Sequence, residues 1–212
     1  MIIELQGQRL ELLAQKALFF PEFRCLVVSD LHLGKASHFR KAGIPVPSEV
    51  YDRNIESLVK LMQWKRPKKV FFLGDLFHSV YNKEWSYFQN VIEQFPQIDF
   101  QLILGNHDIL DRRHYSDCGL SVIEESCEYH GFLLSHEPIE HSQHLYNLYG
   151  HLHPGVRLNG RGKQALRLPC FHFMAQSGVL PAFGKFTGLA IQKPKQGEQV
   201  YVIAENEVIC VS

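Results

Sequence analysis

The sequence lacks both an excess of charge of either sign and any long hydrophobic run. Its 22 lysine and arginine residues balance 22 aspartate and glutamate residues, so the formal net charge is zero. This balance excludes a protein that binds nucleic acid mainly through bulk basicity. No run approaches the roughly 18–20 apolar residues of a transmembrane helix, so we expect no association with a membrane.

The sequence also lacks the cysteine patterns of disulfide-rich proteins and of thiolate zinc sites. Its five cysteines are odd in number and widely spaced, and they form no CxxC motif. We therefore expect reduced, mostly buried thiols in a cytoplasmic protein. Glu4, Arg9, Glu11 and Lys16 interrupt the N-terminal segment, which is unlike the apolar stretch of a signal peptide.

The rest of the composition is that of an ordinary folded protein. Apolar residues make up 45% and charged residues 21% of the 212 residues, which excludes wholesale disorder. A chain of this length suits a single domain over residues 1–212. Twelve histidines stand against three methionines and two tryptophans, and this abundance of imidazole indicates metal ligands or proton transfer.

Short apolar runs alternate with segments of helical periodicity along most of the chain. Residues 48–64 and 85–95 repeat apolar side chains at helical spacing, and Pro96 ends the second segment. Strands are predicted where runs are too short for a helix. The runs are 25–28, 70–73, 102–104, 132–134 and 145–149. This alternation predicts an α/β protein.

Both ends of the chain are predicted to be β-structure. Residues 1–13 are predicted to form a hairpin around Gly7 and Gln8, and further strands are expected at 186–192, 199–204 and 207–211.

Polar side chains follow each of the five apolar runs directly. They are Asp30 and His32, Asp75 and His78, Asn106, His107 and Asp108, His136, and His151 and His153. Ligands of α/β sheets bind beyond the carboxyl ends of the strands, so these side chains can build one shared site.

The site offers more potential ligands than one metal ion needs. Carboxylate, imidazole and one amide, without thiolate, suit Mn²⁺, Fe²⁺ or Zn²⁺. Two divalent ions that share one carboxylate would use all seven candidates. The seven are Asp30, His32, Asp75, Asn106, His136, His151 and His153.

The series DxH, GDxxH, GNHD, SH and GHxH, in this order, resembles the calcineurin-like metallophosphoesterase superfamily. The resemblance implies a four-layer αββα sandwich with two mixed β-sheets, and hydrolysis of a phosphate ester by a metal-bridged hydroxide. It implies one ion on Asp30, His32, Asp75 and His153. It implies the other on Asp75, Asn106, His136 and His151, so that Asp75 bridges. Ser135 replaces the usual glycine before His136, a mild departure that leaves the ligand in place.

The same resemblance gives catalytic roles to His107 and Asp108. His107 is implied to donate a hydrogen bond or a proton to the phosphate and its leaving oxygen, and Asp108 to orient the ring. A carboxylate behind an imidazole fixes its tautomer and raises its basicity, which agrees with these roles.

Two further segments narrow the resemblance. LGKASHFRKAGIPVP follows the first motif, and LPCF and LPAFGKFTG lie within residues 168–188. Together with GDLFH they resemble the bacterial ligase-associated DNA damage response endonucleases. This resemblance implies manganese-dependent cleavage of phosphodiesters in DNA, a role in DNA repair, and a DNA ligase or helicase as partner.

Basic residues near the predicted site are candidates for substrate contacts. Lys35, Arg40 and Arg112 follow metal motifs, as does His78, and we expect these four to bind the substrate. Lys41, Arg113, Arg157, Arg161, Lys163 and Arg167 complete a possible basic rim, which would attract a phosphodiester. The basic cluster at 65–69 precedes a strand and is expected at the opposite edge.

Two alternatives remain open at this point. One is a hydrolase of small phosphodiesters or pyrophosphates, similar to the enzyme that cleaves UDP-diacylglucosamine, although no apolar segment for acyl chains is evident. The other is a non-enzymatic scaffold on the same fold, as in a retromer subunit, which predicts an eroded ligand set.

Overall fold

Two mixed β-sheets form the framework of the protein. The computed structural model describes residues 1–35, 49–78, 81–140, 144–160, 164–185 and 187–211. The first sheet has seven strands in sequence order, of which β1 to β4 pair antiparallel and β4 to β7 pair parallel. They are β1 Ile2–Leu5, β2 Gln8–Leu13, β3 Ala17–Phe20, β4 Cys25–Ser29, β5 Lys69–Leu73, β6 Asp99–Ile103 and β7 Leu120–Ile123.

The second sheet is assembled from the remainder of the chain. Its strands follow the order β14-β11-β12-β13-β10-β9-β8, and β15 joins β12 to β16. Strands β9, β10 and β13 run parallel to one another. The strands are β8 Ser126–Tyr129, β9 Phe132–Ser135, β10 Tyr146–Tyr149, β11 Pro154–Asn159, β12 Ala165–Phe173, β13 Ser177–Val179, β14 Ala190–Ile191, β15 Gln199–Ala204 and β16 Glu207–Cys210.

Three helices among the described residues connect strands of the first sheet. They are α1 Glu49–Lys65, α2 Lys83–Glu93 and α3 Arg112–Asp117. Asn82 caps α2 by accepting a hydrogen bond from the backbone N–H of Glu84, and Asp111 caps α3 in the same way. None of these helices is long and apolar enough to cross a lipid bilayer.

The central strands are apolar on both faces because each face packs against a different layer. Leu26 and Phe72 belong to a buried cluster with Trp85 of α2, between the first sheet and the helices. Val27 belongs to a second cluster with Phe171 of β12, between the two sheets. Burial on both faces explains why the runs at 25–28 and 70–73 contain no polar residue.

Most predicted elements are confirmed, and one strand is wrong in extent. The N-terminal hairpin, the five short strands, both long helices and the last two strands are present. The strand expected at 186–192 is reduced to the two residues of β14. Strands β3, β7, β8, β11, β12 and β13 were not predicted, because most are short or carry polar residues and gain stability only from their neighbours in the sheet.

The cysteines agree with the prediction of reduced thiols. All five are free, and Cys25, Cys118 and Cys170 are buried. Burial raises the pKa of each of these three thiols to about 12, so they stay protonated.

Candidate metal centre

The carboxyl ends of β4, β5 and β6 in the first sheet meet those of β9 and β10 in the second sheet. We call this the metal edge. All seven predicted ligands lie there, each within four residues of the end of its strand. Asp30 and His32 follow β4, Asp75 follows β5, Asn106 follows β6, His136 follows β9, and His151 and His153 follow β10.

Four donor atoms converge in a first ligand group. The Nε2 atom of His32 lies 3.1 Å from Nε2 of His153 and 3.6 Å from Oδ2 of Asp75. The same nitrogen of His153 lies 3.3 Å from Oδ1 of Asp30. Two carboxylates and two imidazoles therefore face one point.

Four further donor atoms converge in a second ligand group. The Nε2 atom of His136 lies 3.1 Å from Oδ1 of Asn106 and 3.1 Å from Nδ1 of His151. It lies 3.5 Å from Oδ1 of Asp75. Asp75 thus presents one carboxylate oxygen to each group, which is the arrangement of a bridging ligand.

The spacing of these donor atoms fits a divalent ion in each group. Donors bound to one ion at about 2.0–2.2 Å are separated by about 2.8–3.1 Å in octahedral and about 3.3–3.6 Å in tetrahedral coordination. The measured separations fall within these ranges. Asp30 is also close to the second group, since its carboxylate and the donor atoms of Asp75 and His136 lie within 4.8 Å of one another.

Contacts behind two of the imidazoles prepare them for a metal. The Nδ1 atom of His136 lies 3.0 Å from the carbonyl oxygen of Leu73, which places a proton on Nδ1 and directs Nε2 towards the metal position. Burial, reinforced by the charge of Lys35 and by neighbouring histidines, lowers the pKa of His32 to about 2. The His32 ring is therefore neutral at pH 7 and can coordinate a metal.

Five of the seven candidate ligands have a left-handed backbone conformation. Asp30, His32, Asp75, His151 and His153 have φ values between 47° and 63°. This conformation costs a non-glycine residue about 1–3 kcal/mol and persists only where the surrounding structure enforces it. Such strain clusters at functional sites. Here it accompanies ligands that lie two residues apart in the chain, as Asp30 and His32 do, and that face the same centre.

Glycines at the ends of two strands allow the ligands to approach closely. Gly74 has a φ of 70°, and a Cβ atom there would lie 2.2 Å from Nδ1 of His136. A Cβ atom on Gly150 would lie 2.6 Å from Oδ2 of Asp30. The glycines of the GDxxH and GHxH motifs are thus required by packing against ligands from other strands.

Hydrogen bonds from the backbone hold the two central carboxylates. The N–H of His151 donates to Oδ2 of Asp30 over 3.0 Å. The N–H of His107 donates to Oδ1 of Asp75 over 3.0 Å. Each carboxylate therefore ties its own loop to a loop from another strand.

Asp108 contacts different partners from those expected. Its carboxylate accepts hydrogen bonds from the backbone N–H groups of Phe77, over 3.1 Å, and of Gly105, over 2.9 Å. Burial raises its pKa to about 6, although these two hydrogen bonds oppose the shift. Asp108 thus joins the loops after β5 and β6, whereas the sequence-based expectation was a contact with the ring of His107.

The candidate substrate residues are distributed unevenly. His78 lies at the centre, with its ring 3.8 Å from that of His107. Burial lowers the pKa of Lys35, and the nearby charges of Asp75 and Asp30 oppose this shift, which places the ammonium beside the site. The Arg112 guanidinium donates to Glu124 over 2.8 Å at the surface, so its charge is already paired. Arg40 lies outside the described residues.

Two supports of the centre were missed in the sequence. Residues 181–184, which we call the strap, cross the end of β4. Phe183 and Gly184 donate backbone hydrogen bonds to the carbonyl oxygens of Ser29 and Asp30. The buried Glu84 accepts a hydrogen bond from the N–H of Gly34 over 2.8 Å. Of these two supports, only the strap belongs to a segment that the sequence analysis singled out, LPAFG, and that segment indicated no chemical role.

The histidines outside the metal motifs lie away from the centre. A surface position is the expectation for most of them from the sequence, since no motif surrounds them, but His172 is buried and donates to Glu198 over 2.8 Å. His130 is exposed, and its ring stacks on Phe23. His144 is also exposed, and His141 lies outside the described residues.

Comparisons with solved structures, curated proteins and protein families show what this chain is similar to. The crystal structure of the Pseudomonas putida nuclease MPE is similar, with a TM-score of 0.84 and 30% identity over 99% of each chain. The E. coli phosphoesterase Yfce gives a TM-score of 0.45 at 12% identity, covering 87% of this chain and 96% of that one. No curated protein matches in a comparison of sequences. The calcineurin-like phosphoesterase family matches residues 23–181. The chain therefore belongs to the calcineurin-like phosphoesterase family and is a metal-dependent phosphoesterase.

Proposed function

We propose that the protein is a two-metal DNA endonuclease that acts in DNA repair. The observation that carries this proposal is the convergence of two ligand groups on the shared carboxylate of Asp75. The nuclease character of the similar Pseudomonas putida protein supports DNA as the substrate. We assign Mn²⁺ as the preferred ion because the resemblance to the ligase-associated endonucleases implies it, and the set of imidazoles, carboxylates and one amide suits Mn²⁺ as well as Fe²⁺ or Zn²⁺.

The proposal gives each ligand group one ion. The first group, Asp30, His32, Asp75 and His153, would hold one, and Asp75, Asn106, His136 and His151 would hold the other. When bound, the two ions would activate a water molecule and neutralise charge on the phosphate.

The chain's own residues supply position and proton transfer. Asp75 holds the two ligand groups at a defined separation, because each of its oxygens faces one group. His107 is half-buried and lies beside the centre, where its ring can donate a proton to the leaving oxygen of the substrate. The His78 ring packs against this ring at a tilt of 37° and restricts its orientation.

One panel of substrates tests the proposal. The purified chain with Mn²⁺ is given p-nitrophenyl phosphate, bis(p-nitrophenyl) phosphate, circular single-stranded DNA and UDP-diacylglucosamine. We expect cleavage of the circle, which only an endonuclease can open. Activity on the monoester alone would contradict the nuclease assignment, and activity confined to the UDP-lipid would favour the small-pyrophosphate alternative.

Variants of two aspartates provide the control for the panel. Asp75→Asn removes the shared carboxylate, so we expect activity to fall by more than about 100-fold and the bound manganese to fall below two ions. Asp117→Asn makes the same chemical change on the exposed surface of α3 and should leave both quantities unaltered.

A further inference from the structure

The hairpin of β11 and β12 brings two arginines directly opposite each other. Arg157 pairs with Arg167 in the antiparallel register, and both side chains are exposed. Like charges at directly opposed positions of two strands are destabilising. Within the part of the chain that the structure describes, neither guanidinium has an acidic partner. This unfavourable arrangement is relieved when an anion lies between the two.

The strand registers place this arginine pair beyond the metal edge. Tyr149, at the end of β10, is level with Val179 of β13, which is level with His172 of β12. Arg167 precedes His172 by five residues on β12, which runs antiparallel to β10. At roughly 3.3 Å per residue, the pair therefore lies about 17 Å beyond the level of Tyr149. The displacement is in the direction in which β10 leads to the metal ligands that follow it.

The arginines also lie on the face of the second sheet that is turned towards the first sheet. Side chains alternate between the faces of a strand, so Arg167 shares a face with Phe171 and Phe173. Phe171 and Phe173 belong to the cluster between the two sheets. Arg157 lies opposite Arg167 on the same face. The pair therefore faces the first sheet, from which Asp30, Asp75 and Asn106 project.

The opposite face of the hairpin is apolar. Leu158 and Leu166 form the next pair in the register, and they are 38% and 57% exposed. They share a face with Val156 and Leu168, which belong to a small cluster on the outer side of the second sheet. The arginine face is therefore distinct from the apolar face and lies on the side of the second sheet that is turned towards the first sheet.

We propose that Arg157 and Arg167 bind a backbone phosphate of a single-stranded nucleic acid, a few nucleotides from the phosphate held at the metal centre. The inference rests on the proposed nuclease function and adds a second point of attachment to it. Paired guanidinium groups suit a phosphate because each can donate two parallel hydrogen bonds to its oxygens. A second attachment would favour a polynucleotide over a small phosphodiester.

The test compares a long single-stranded oligonucleotide with a dinucleotide. The dinucleotide has a single phosphodiester, so no second phosphate remains for the arginines once that phosphate lies at the metal centre. For the Arg157→Gln/Arg167→Gln variant with Mn²⁺, we expect the ratio of kcat/KM for the oligonucleotide to that for the dinucleotide to fall about tenfold, mainly through KM. The slope of log KM against log salt concentration should decrease by about 0.7, the value for one phosphate contact on a single strand.

Two further variants separate this role from a structural one. Arg157→Lys/Arg167→Lys keeps both charges and should restore most of the salt dependence, since lysine also binds phosphate. Arg66→Gln/Lys68→Gln removes two exposed charges before β5, at the opposite edge, and should change neither ratio nor slope. The glutamine variant at the hairpin should melt no lower than the wild type, because it removes a like-charge pair.

The outcomes distinguish this inference from the function on which it rests. A wild type that cleaves neither DNA substrate overturns the proposed nuclease and the inference together. A wild type that cleaves both, with an unchanged ratio and salt slope in the glutamine variant, overturns the arginine site alone. An equal loss in the Arg66→Gln/Lys68→Gln control would show only a general charge effect, which also overturns the site.

Discussion

At the scale of single residues, the centre depends on which atom each side chain presents. His136 is a suitable ligand because the carbonyl oxygen of Leu73 holds its other nitrogen. His107 differs, because its ring lies beside the donor groups and its backbone N–H binds Asp75. The resemblance carried by the GNHD motif implies that His107 acts on the substrate and is not a ligand. The backbone partners of Asp108 became visible only in the structure.

Replacing His107 with alanine should lower turnover without removing metal. We expect kcat to fall by about 10²–10⁴, the usual contribution of a general acid, because the leaving oxygen loses its proton donor. Bound manganese, measured by mass spectrometry of the protein, should stay at the wild-type level. His130→Ala, at the other end of β9, is the matched control. An unchanged kcat would remove His107 from the mechanism.

At the scale of elements, the strap connects the second sheet to the end of β4. It follows β13, and its hydrogen bonds to Ser29 and Asp30 support the left-handed backbone at Asp30. A Cβ atom on Gly184 would lie 2.8 Å from the carbonyl oxygen of Leu31 and 3.1 Å from that of Asp30. The strap therefore leaves no room for a side chain at this position.

Replacing Gly184 with alanine should weaken metal binding. The added methyl group must displace the Asp30 loop, and we expect the affinity for Mn²⁺ to fall by about 10–100-fold, as for other residues that orient ligands. Calorimetric titration with Mn²⁺ measures this without reference to activity. Gly188→Ala is the matched control, because nothing lies within 4 Å of a Cβ atom there. Equal affinities in the two variants would contradict the role of the strap.

The loop between β14 and β15 is tied to β12 by a buried histidine. Glu198 accepts hydrogen bonds from the N–H of Lys195 and from His172, each over 2.8 Å. The hydrogen bond from the N–H of Lys195, with a lesser contribution from the His172 ring, holds the pKa of Glu198 below its ordinary 4.5, and burial opposes this shift. A depressed pKa means that folding favours the charged carboxylate.

Replacing Glu198 with glutamine should therefore destabilise the protein in a pH-dependent way. The stabilisation is fully present above about pH 4.5 and is lost as pH falls through the lower pKa of the folded state. We expect a loss of about 1 kcal/mol at pH 7. The melting temperatures of the metal-free proteins should converge in strong acid. Glu207→Gln, on an exposed residue, is the control, and a pH-independent difference would contradict the prediction.

At the scale of the whole molecule, charge is balanced in total but unequal in distribution. In the basic cluster at 65–69, Lys65 pairs with Glu11 and Lys69 with Asp99. At the metal edge, Lys35 lies beside the carboxylates, and the hairpin adds two arginines that pair with no acidic residue in the described part of the chain. Zero net charge therefore does not argue against a polyanionic substrate, because cations without an acidic partner lie on the side of the metal centre.

Divalent ions should raise the stability of the whole molecule. Only the folded chain brings the two ligand groups together, so binding favours the folded state by about 2.7 kcal/mol per site at an ion concentration 100 times Kd. The melting temperature should rise with Mn²⁺ concentration and fall on addition of EDTA. Asp75→Asn should lose most of this response, and a wild type insensitive to Mn²⁺ would contradict the assignment.

The sequence by itself determined which residue types stand at the ends of the five short strands, and it located those strands and both long helices. These features are local, because a short apolar run followed by glycine and a charged residue is visible without knowledge of its neighbours. Tertiary structure alone decided the rest: the strap at Asp30, the partners of Asp108, the pairing of Arg112 and the facing arginines of the hairpin. Each of these depends on residues far apart in the chain, whose contact follows from sheet register and packing rather than from local preference.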